Sequence, residues 1–322
     1  MMDKIIDLHC DLTCFLIEPG ITVNSKMRSS VENLRKGNVG FQVMAFYSST
    51  GKGSVQYVEK QIVKYKDLLE LPDFFEFNAE ITELKENGIG IIGAVENASG
   101  LCEEDAPVET AFERLSQIKS KVNLMYITFT HHLENRFGGG NYTDVGLKKD
   151  GKLLLEHLHN HKIAVDLSHT SDRLAVDMLN FIDINNLKVP VIASHSNMRS
   201  VFNHPRNLPD ELVQEIVRRR GLIGLNFVKY FINPEKADDF YSHLEYALKL
   251  GAENHIAFGA DFFADELHPE TEKFPFFFDE LGDATVYPSV AEKVKNRFGE
   301  EVSCKFSSRN VLNYFENLNL NY

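Results

Sequence analysis

Residues 162–196 read KIAVDLSHTSDRLAVDMLNFIDINNLKVPVIASHS. Two apolar runs, 162–168 and 189–194, flank a stretch from 171 to 179 whose apolar positions recur at helical spacing. Ile, Val and Leu on consecutive positions mark strands covered on both faces, as in a parallel sheet. Ser171-Asp172 ahead of the apolar stripe is a helix start. The stretch is therefore a strand–helix–strand unit, and each strand ends in Ser-His: Ser168-His169 and Ser194-His195.

The alternation extends outward in both directions. Strand-like runs at 4–9, 40–46, 88–95 and 122–130 precede the unit, and runs at 221–227 and 255–260 follow it. Helical patterns fall at 29–36, 57–69, 110–118, 153–161, 209–219 and 240–250, the fifth with Pro209 in its first turn. Eight such units predict one α/β domain over residues 1–322, a (β/α)8 TIM-type barrel with 286–322 as extra C-terminal helices packed on its outside. Alternation alone equally fits an open doubly wound sheet. The segment 137–141 (FGGGN) reads as a flexible loop, and 261–278 as a polar and aromatic excursion suited to a lid.

Composition narrows the function. A hydrophobic share of 43% and a charged share of 25% exclude disorder and a disulfide-dense module. With 34 Lys+Arg against 47 Asp+Glu the formal charge is -13, which speaks against a nucleic-acid partner. The N-terminal MMDKIIDLHCD meets a charge at Asp3 and lacks a signal-peptide core, and no run approaches ~18 apolar residues. A soluble, cytoplasmic protein without a membrane anchor is expected. Cys10, Cys14, Cys102 and Cys304 form no C-x-x-C and read as reduced thiols.

Polar residues at strand ends carry the chemistry. In Asp7-Leu8-His9-Cys10-Asp11, period-two geometry would let Asp7, His9 and Asp11 converge. Glu96 ends an Ile-Gly-Ile-Ile-Gly run, where an unpaired buried carboxylate would be costly. His169 and His195 end successive strands, and Asp261 ends the eighth, which barrel closure places beside the first. A lone strand-end histidine or acid usually just bonds the next loop; six of them at one rim, where barrel enzymes place their active sites, are another matter. Three imidazoles and three carboxylates suit a dinuclear cation site with a shared carboxylate. His131 belongs to the same rim, and Arg206, just before a helix start, is placed to grip a carboxylate. His157, His159 and His161 read as solvated; His204, His243, His255 and His268 have no partner visible in the sequence.

With IIDLHCD, GAVEN, YITFTHH, AVDLSHTSD, VIASHSNMRSVFNHPRNLPDEL and FGADF in this order, the chain resembles the membrane dipeptidase (renal dipeptidase) family of the amidohydrolase superfamily, from about Ile5 to Asn313. The resemblance implies a (β/α)8 barrel with a binuclear Zn2+ centre that hydrolyses dipeptides, often with a D-residue on the C-terminal side. It implies that His9 and Asp11 hold one zinc with Asp261 beside it, that Glu96 bridges, and that His169 and His195 complete the second. His131 would then face the scissile carbonyl, Arg206 the free carboxylate of the substrate, and Tyr47 the substrate itself. Catalysis would use a metal-bridging hydroxide, with Asp261 moving its proton, and a homodimer is implied. The family's Leu-Glu-Gly is Val95-Glu96-Asn97 here, its Gly-Ser-Asp-Phe-Asp-Gly is Gly259-Ala260-Asp261-Phe262-Phe263-Ala264, and Trp is absent. Two alternatives stand beside this expectation: a related hydrolase acting on a lactone or cyclic amide, and a barrel without catalysis that serves as a binding protein.

Overall fold

The apolar runs become parallel strands because both of their faces are covered. In the computed structural model, which describes residues 4–78 and 84–321, nine strands follow chain order. They are β1 (Ile5–Cys10), β2 (Val39–Tyr47), β3 (Phe74–Glu76), β4 (Ile89–Glu96), β5 (Leu124–Thr128), β6 (Ala164–Asp166), β7 (Val191–Ile192), β8 (Ile223–Leu225) and β9 (Ile256–Phe258). Asp3 lies outside the described residues.

Neighbouring strands run β7-β6-β5-β4-β2-β1-β9-β8, and a parallel bridge from Ala193 to Ile223 joins the two ends. That bridge excludes the open sheet and makes a (β/α)8 barrel. β3 is an addition that the sequence reading lacks: it pairs with Ile89–Ile91 at the base of β4, while β5 takes over from Gly93 upward.

Side chains alternate across the wall. Ile6, Leu8, Phe41, Val43, Ile92 and Ala94 fill the interior, whereas Ile5, Met44, Phe46, Ile91 and Val95 meet the surrounding helices. Those helices include Ser54–Leu69, Glu109–Lys119, Lys149–Leu158, Asp172–Ile184, Asp210–Arg218 and Asp239–Lys249. Ser171 caps the fourth of them as read, its hydroxyl accepting from Leu174 N at 2.9 Å.

Two expectations are corrected. The last helix, Asn310–Asn321, does not lie on the outside: Val311, Tyr314, Phe315 and Leu318 join the interior cluster and close the barrel floor, Phe315 lying 5.1 Å from Phe77 and 5.9 Å from Phe41. Residues 137–141 are buried, because the backbone there packs too closely to tolerate side chains: a Cβ on Gly140 would lie 2.3 Å from the His131 carbonyl oxygen. The 261–278 excursion is pinned near its start, Arg28 gripping Asp265 with contacts of 2.6 and 2.7 Å and lying 4.6 Å over the Phe277 ring. No disulfide forms among the described residues, and none of their helices is long and apolar enough to cross a membrane.

Candidate metal centre

The carboxyl ends of the strands bring the expected residues to one rim. His9 Nε2 lies 3.6 Å from Glu96 Oε2 and 3.7 Å from Asp261 Oδ1. Glu96 Oε1 lies 3.0 Å from His169 Nε2 and 3.6 Å from His195 Nε2. His9, Asp11 and Asp261 form one group with ligand atoms within 4.8 Å of each other, and His9, Glu96 and His195 form a second. His9 is common to both groups, and the two oxygens of Glu96 face different imidazoles, Oε2 that of His9 and Oε1 those of His169 and His195.

Asp7 does not join them. Between Asp7/Gln42 and Cys10/Met44, two residues of β1 (Leu8 and His9) oppose one of β2 (Val43), so the extra residue turns His9 away from the side that Asp7 occupies. Asp7 instead accepts from Gln42 Nε2 at 2.7 Å and from Ala260 N at 2.8 Å, tying β1 to the strands on either side.

Three of the candidate ligands, His9, His195 and Asp261, are held from behind, by residues outside the expected set. Tyr126 donates to the Leu8 carbonyl at 3.0 Å, so it accepts from His9 Nδ1 at 2.7 Å and leaves Nε2 to the site. Ser194 Oγ donates to Asp166 Oδ2 at 2.6 Å and accepts from His195 Nδ1 at 2.7 Å, with the same result. Asn226 donates to Asp261 Oδ2 at 2.8 Å. Asn97, His169 and Asp261 stand at φ of 75°, 66° and 63°, a region that non-glycine residues rarely occupy and that clusters at functional sites.

Electrostatics asks for a cation. Burial would lower the His9 pKa, yet Glu96, Asp11 and Asp261 carry it up to about 10. Burial and then Glu96 raise Asp11, and burial with Glu96 raises Asp261 to about 6. His169 and His195 are held neutral, by burial first and then by Arg206 and neighbouring imidazoles. His9 Nε2, Asp11 Oδ1 and His195 Nε2 are buried without hydrogen-bond partners. Imidazole nitrogens and carboxylate oxygens in this pattern fit a divalent transition-metal ion.

Beside the group, Arg206 is buried, 3% exposed, with Nη2 donating to the His195 carbonyl at 3.2 Å and its guanidinium 5.2 Å over the Phe231 ring. Its Nε has no partner, so one edge of the fork stays uncommitted. His131 packs 4.2 Å from His169 and takes the Tyr47 ring edge-on at 4.9 Å. His204, expected without a partner, accepts from Arg206 N at 3.1 Å.

A closed parallel barrel with imidazoles and carboxylates gathered at its carboxyl rim defines the class of metal-dependent hydrolase barrels. The chain belongs to the membrane dipeptidase family, peptidase family M19, whose model matches residues 2–321. An uncharacterized dipeptidase of Schizosaccharomyces pombe, C3A11.10c, is 29% identical over 202 residues, covering 59% of this chain and 46% of that protein. Dipeptidase aclJ of Aspergillus oryzae is 25% identical over 283 residues, covering 82% of this chain and 63% of that one. The chain thus spans about half the length of C3A11.10c and under two thirds of aclJ. Among solved structures, the M19 dipeptidase AC has a TM-score of 0.82 at 18% identity over 98% of both chains. A metallopeptidase from Rhodobacter sphaeroides, liganded with a phosphinate mimic of L-Ala-D-Ala, has a TM-score of 0.81 at 18% identity over 98% of this chain and 99% of that one. Both share the fold.

Proposed function

We propose that the protein hydrolyses the peptide bond of dipeptides with two Zn2+ ions, one held by His9, Asp11 and Asp261, the other by His169 and His195, with Glu96 shared. The carrying observation is the shared Glu96, faced by imidazole nitrogens of His9, His169 and His195 at 3.0 to 3.6 Å. Two such ions, when bound, would make a water acidic enough to attack at neutral pH and would polarise the carbonyl.

The chain's own residues do the rest. Arg206 offers its free edge to the substrate carboxylate, which fixes the scissile bond over Glu96 and restricts substrates to short peptides. His131, kept neutral by burial, donates an N–H to the carbonyl oxygen as charge develops there, an effect typically worth ~3 kcal/mol. Asp261, whose Oδ2 is held by Asn226, would take the proton of the attacking water and pass it to the leaving amine. Tyr47, edge-on to His131, walls the substrate side. The phosphinate dipeptide mimic bound by the Rhodobacter relative supports a preference for a D-residue at the C-terminal position.

A metal count combined with a screen of L,L- and L,D-dipeptides tests this. About two zinc equivalents and hydrolysis that disappears when the dipeptide C-terminus is amidated are expected. His195→Ala should lose one equivalent and nearly all activity; full zinc content with full activity in that variant refutes the assignment.

A further inference from the structure

One imidazole at the mouth takes no part in this chemistry. The His132 ring lies 3.9 Å from that of His131 and 5.0 Å from that of His169. One nitrogen from each of the three rings falls within 4.8 Å of the others. Asn141 Oδ1, 3.0 Å away, accepts from His132 Nδ1 and leaves Nε2 with its lone pair. Tyr142 stacks on the ring at 4.9 Å and donates its backbone N–H to the His132 carbonyl at 3.0 Å, so the ring is held in place. His169 turns Nε2 to Glu96, while its Nδ1 is buried and has no hydrogen-bond partner.

We propose that His131, His132 and His169 form a third, weaker site for a transition-metal ion such as Zn2+, and that filling it inhibits hydrolysis by withdrawing His131 from the substrate. An all-imidazole donor set selects Zn2+, Ni2+ or Cu2+ over Mg2+ and Ca2+, which take oxygen ligands. The other two groups contain Glu96, or Asp11 and Asp261, whereas this one contains no acid and feels Arg206. Charge therefore orders the filling: the carboxylate-bearing groups first, the imidazole group only when metal is in excess. Where His169 Nε2 already holds an ion, ligation through Nδ1 releases one proton to solvent, which weakens the third ion further. An ion there occupies the ring that faces the carbonyl, so inhibition competes with substrate. The inhibitory half rests on the proposed function; the binding half does not.

Equilibrium dialysis against Zn2+ and dipeptidase assays on the same samples test both halves, using the metal-loaded wild type, His132→Asn and His132→Phe. The wild type should take up one weak equivalent beyond its tightly held ions and lose activity in parallel. Both variants should keep the tight ions, the thermal midpoint and the basal kcat/KM, lose the weak equivalent, and need at least about tenfold more Zn2+ for half-inhibition. An unchanged weak equivalent in both variants overturns the site. A lost equivalent with unchanged inhibition overturns the inhibitory role. If no peptidase activity is found at all, the proposed function fails, and dialysis against Ni2+ alone still decides the site.

Discussion

His195 shows how little freedom a candidate ligand of this centre is left. Its Nδ1–H goes to Ser194 Oγ, whose own proton goes to Asp166 Oδ2, so the lone pair on Nε2 can only face the rim. Asp166 is fixed in turn by Ser168 N at 3.0 Å, Ser194 N at 2.8 Å and Thr128 Oγ1 at 2.8 Å. Asp166→Asn would reverse this chain of donors. The amide would donate to Ser194, Ser194 to His195 Nδ1, and Nε2 would carry the proton. The expected result is a ~10–100-fold loss of cation affinity at His169 and His195, measured by chelator competition on folded protein; equal affinity in wild type and variant removes Asp166 from this role. The candidate ligands were legible because imidazoles and acids stand out at the ends of apolar runs. Asp166, Tyr126 and Asn226 were not, because each sits in a strand or just beyond its end, and only the folded barrel shows which way it points. Asn97 explains a departure from the family pattern: at φ = 75° it stands where the family has Gly, and Asn is among the few other residues to tolerate positive φ.

Strands place these residues, and their ends matter more than their lengths. The apolar runs at 162–168 and 189–194 overshoot β6 and β7, which stop at Asp166 and Ile192, because the chain beyond them stays buried as it bends over the rim. Pattern alone cannot separate a buried strand from a buried bend. Nor can it show a bulge, which is why Asp7 was grouped with His9. The barrel closes at β7 and β8 through one bridge, and the backbones there nearly touch: a Cβ on Gly224 would lie 1.9 Å from the Ser194 carbonyl oxygen, and one on Gly259 would lie 2.1 Å from it. That carbonyl cannot swing away as a side chain would. Gly259→Ala is therefore expected to push Ser194 and with it His195, costing ~1–3 kcal/mol of stability. Chemical denaturation and a metal count on one preparation would check it; wild-type values for both would mean that the wall yields without cost.

At the scale of the molecule, one barrel serves two ends. Phe315 and its neighbours seal the floor, while the rim stays polar, so stability and chemistry are largely separated, as is usual for this fold. His243 bridges the outer helix Asp239–Lys249 to the backbone that follows β7 and to the short helix Lys229–Ile232 that follows β8. Its Nδ1 accepts from Met198 N at 3.1 Å and its Nε2–H donates to the Ile232 carbonyl at 3.0 Å. The sequence offered no partner for it, because both partners are backbone groups, which no side-chain pattern marks. A proton on Nδ1 would break the first bond, and burial pushes the pKa down to about 4 from an ordinary 6.5. The folded state thus keeps His243 neutral, while the unfolded chain takes up a proton below pH 6.5. Its contribution is whole above pH 6.5 and is lost as pH falls toward 4, where both states are protonated. Between pH 6.5 and pH 5 the loss is about 2 kcal/mol, at ~1.4 kcal/mol per pH unit. His243→Gln keeps an amide in the helix but cannot titrate. With saturating metal in both proteins, the drop in unfolding free energy from pH 7 to pH 5 should be smaller in the variant by that amount, because every other titration is common to the two. Parallel pH profiles for wild type and variant would show that His243 is not the group that links proton uptake to unfolding.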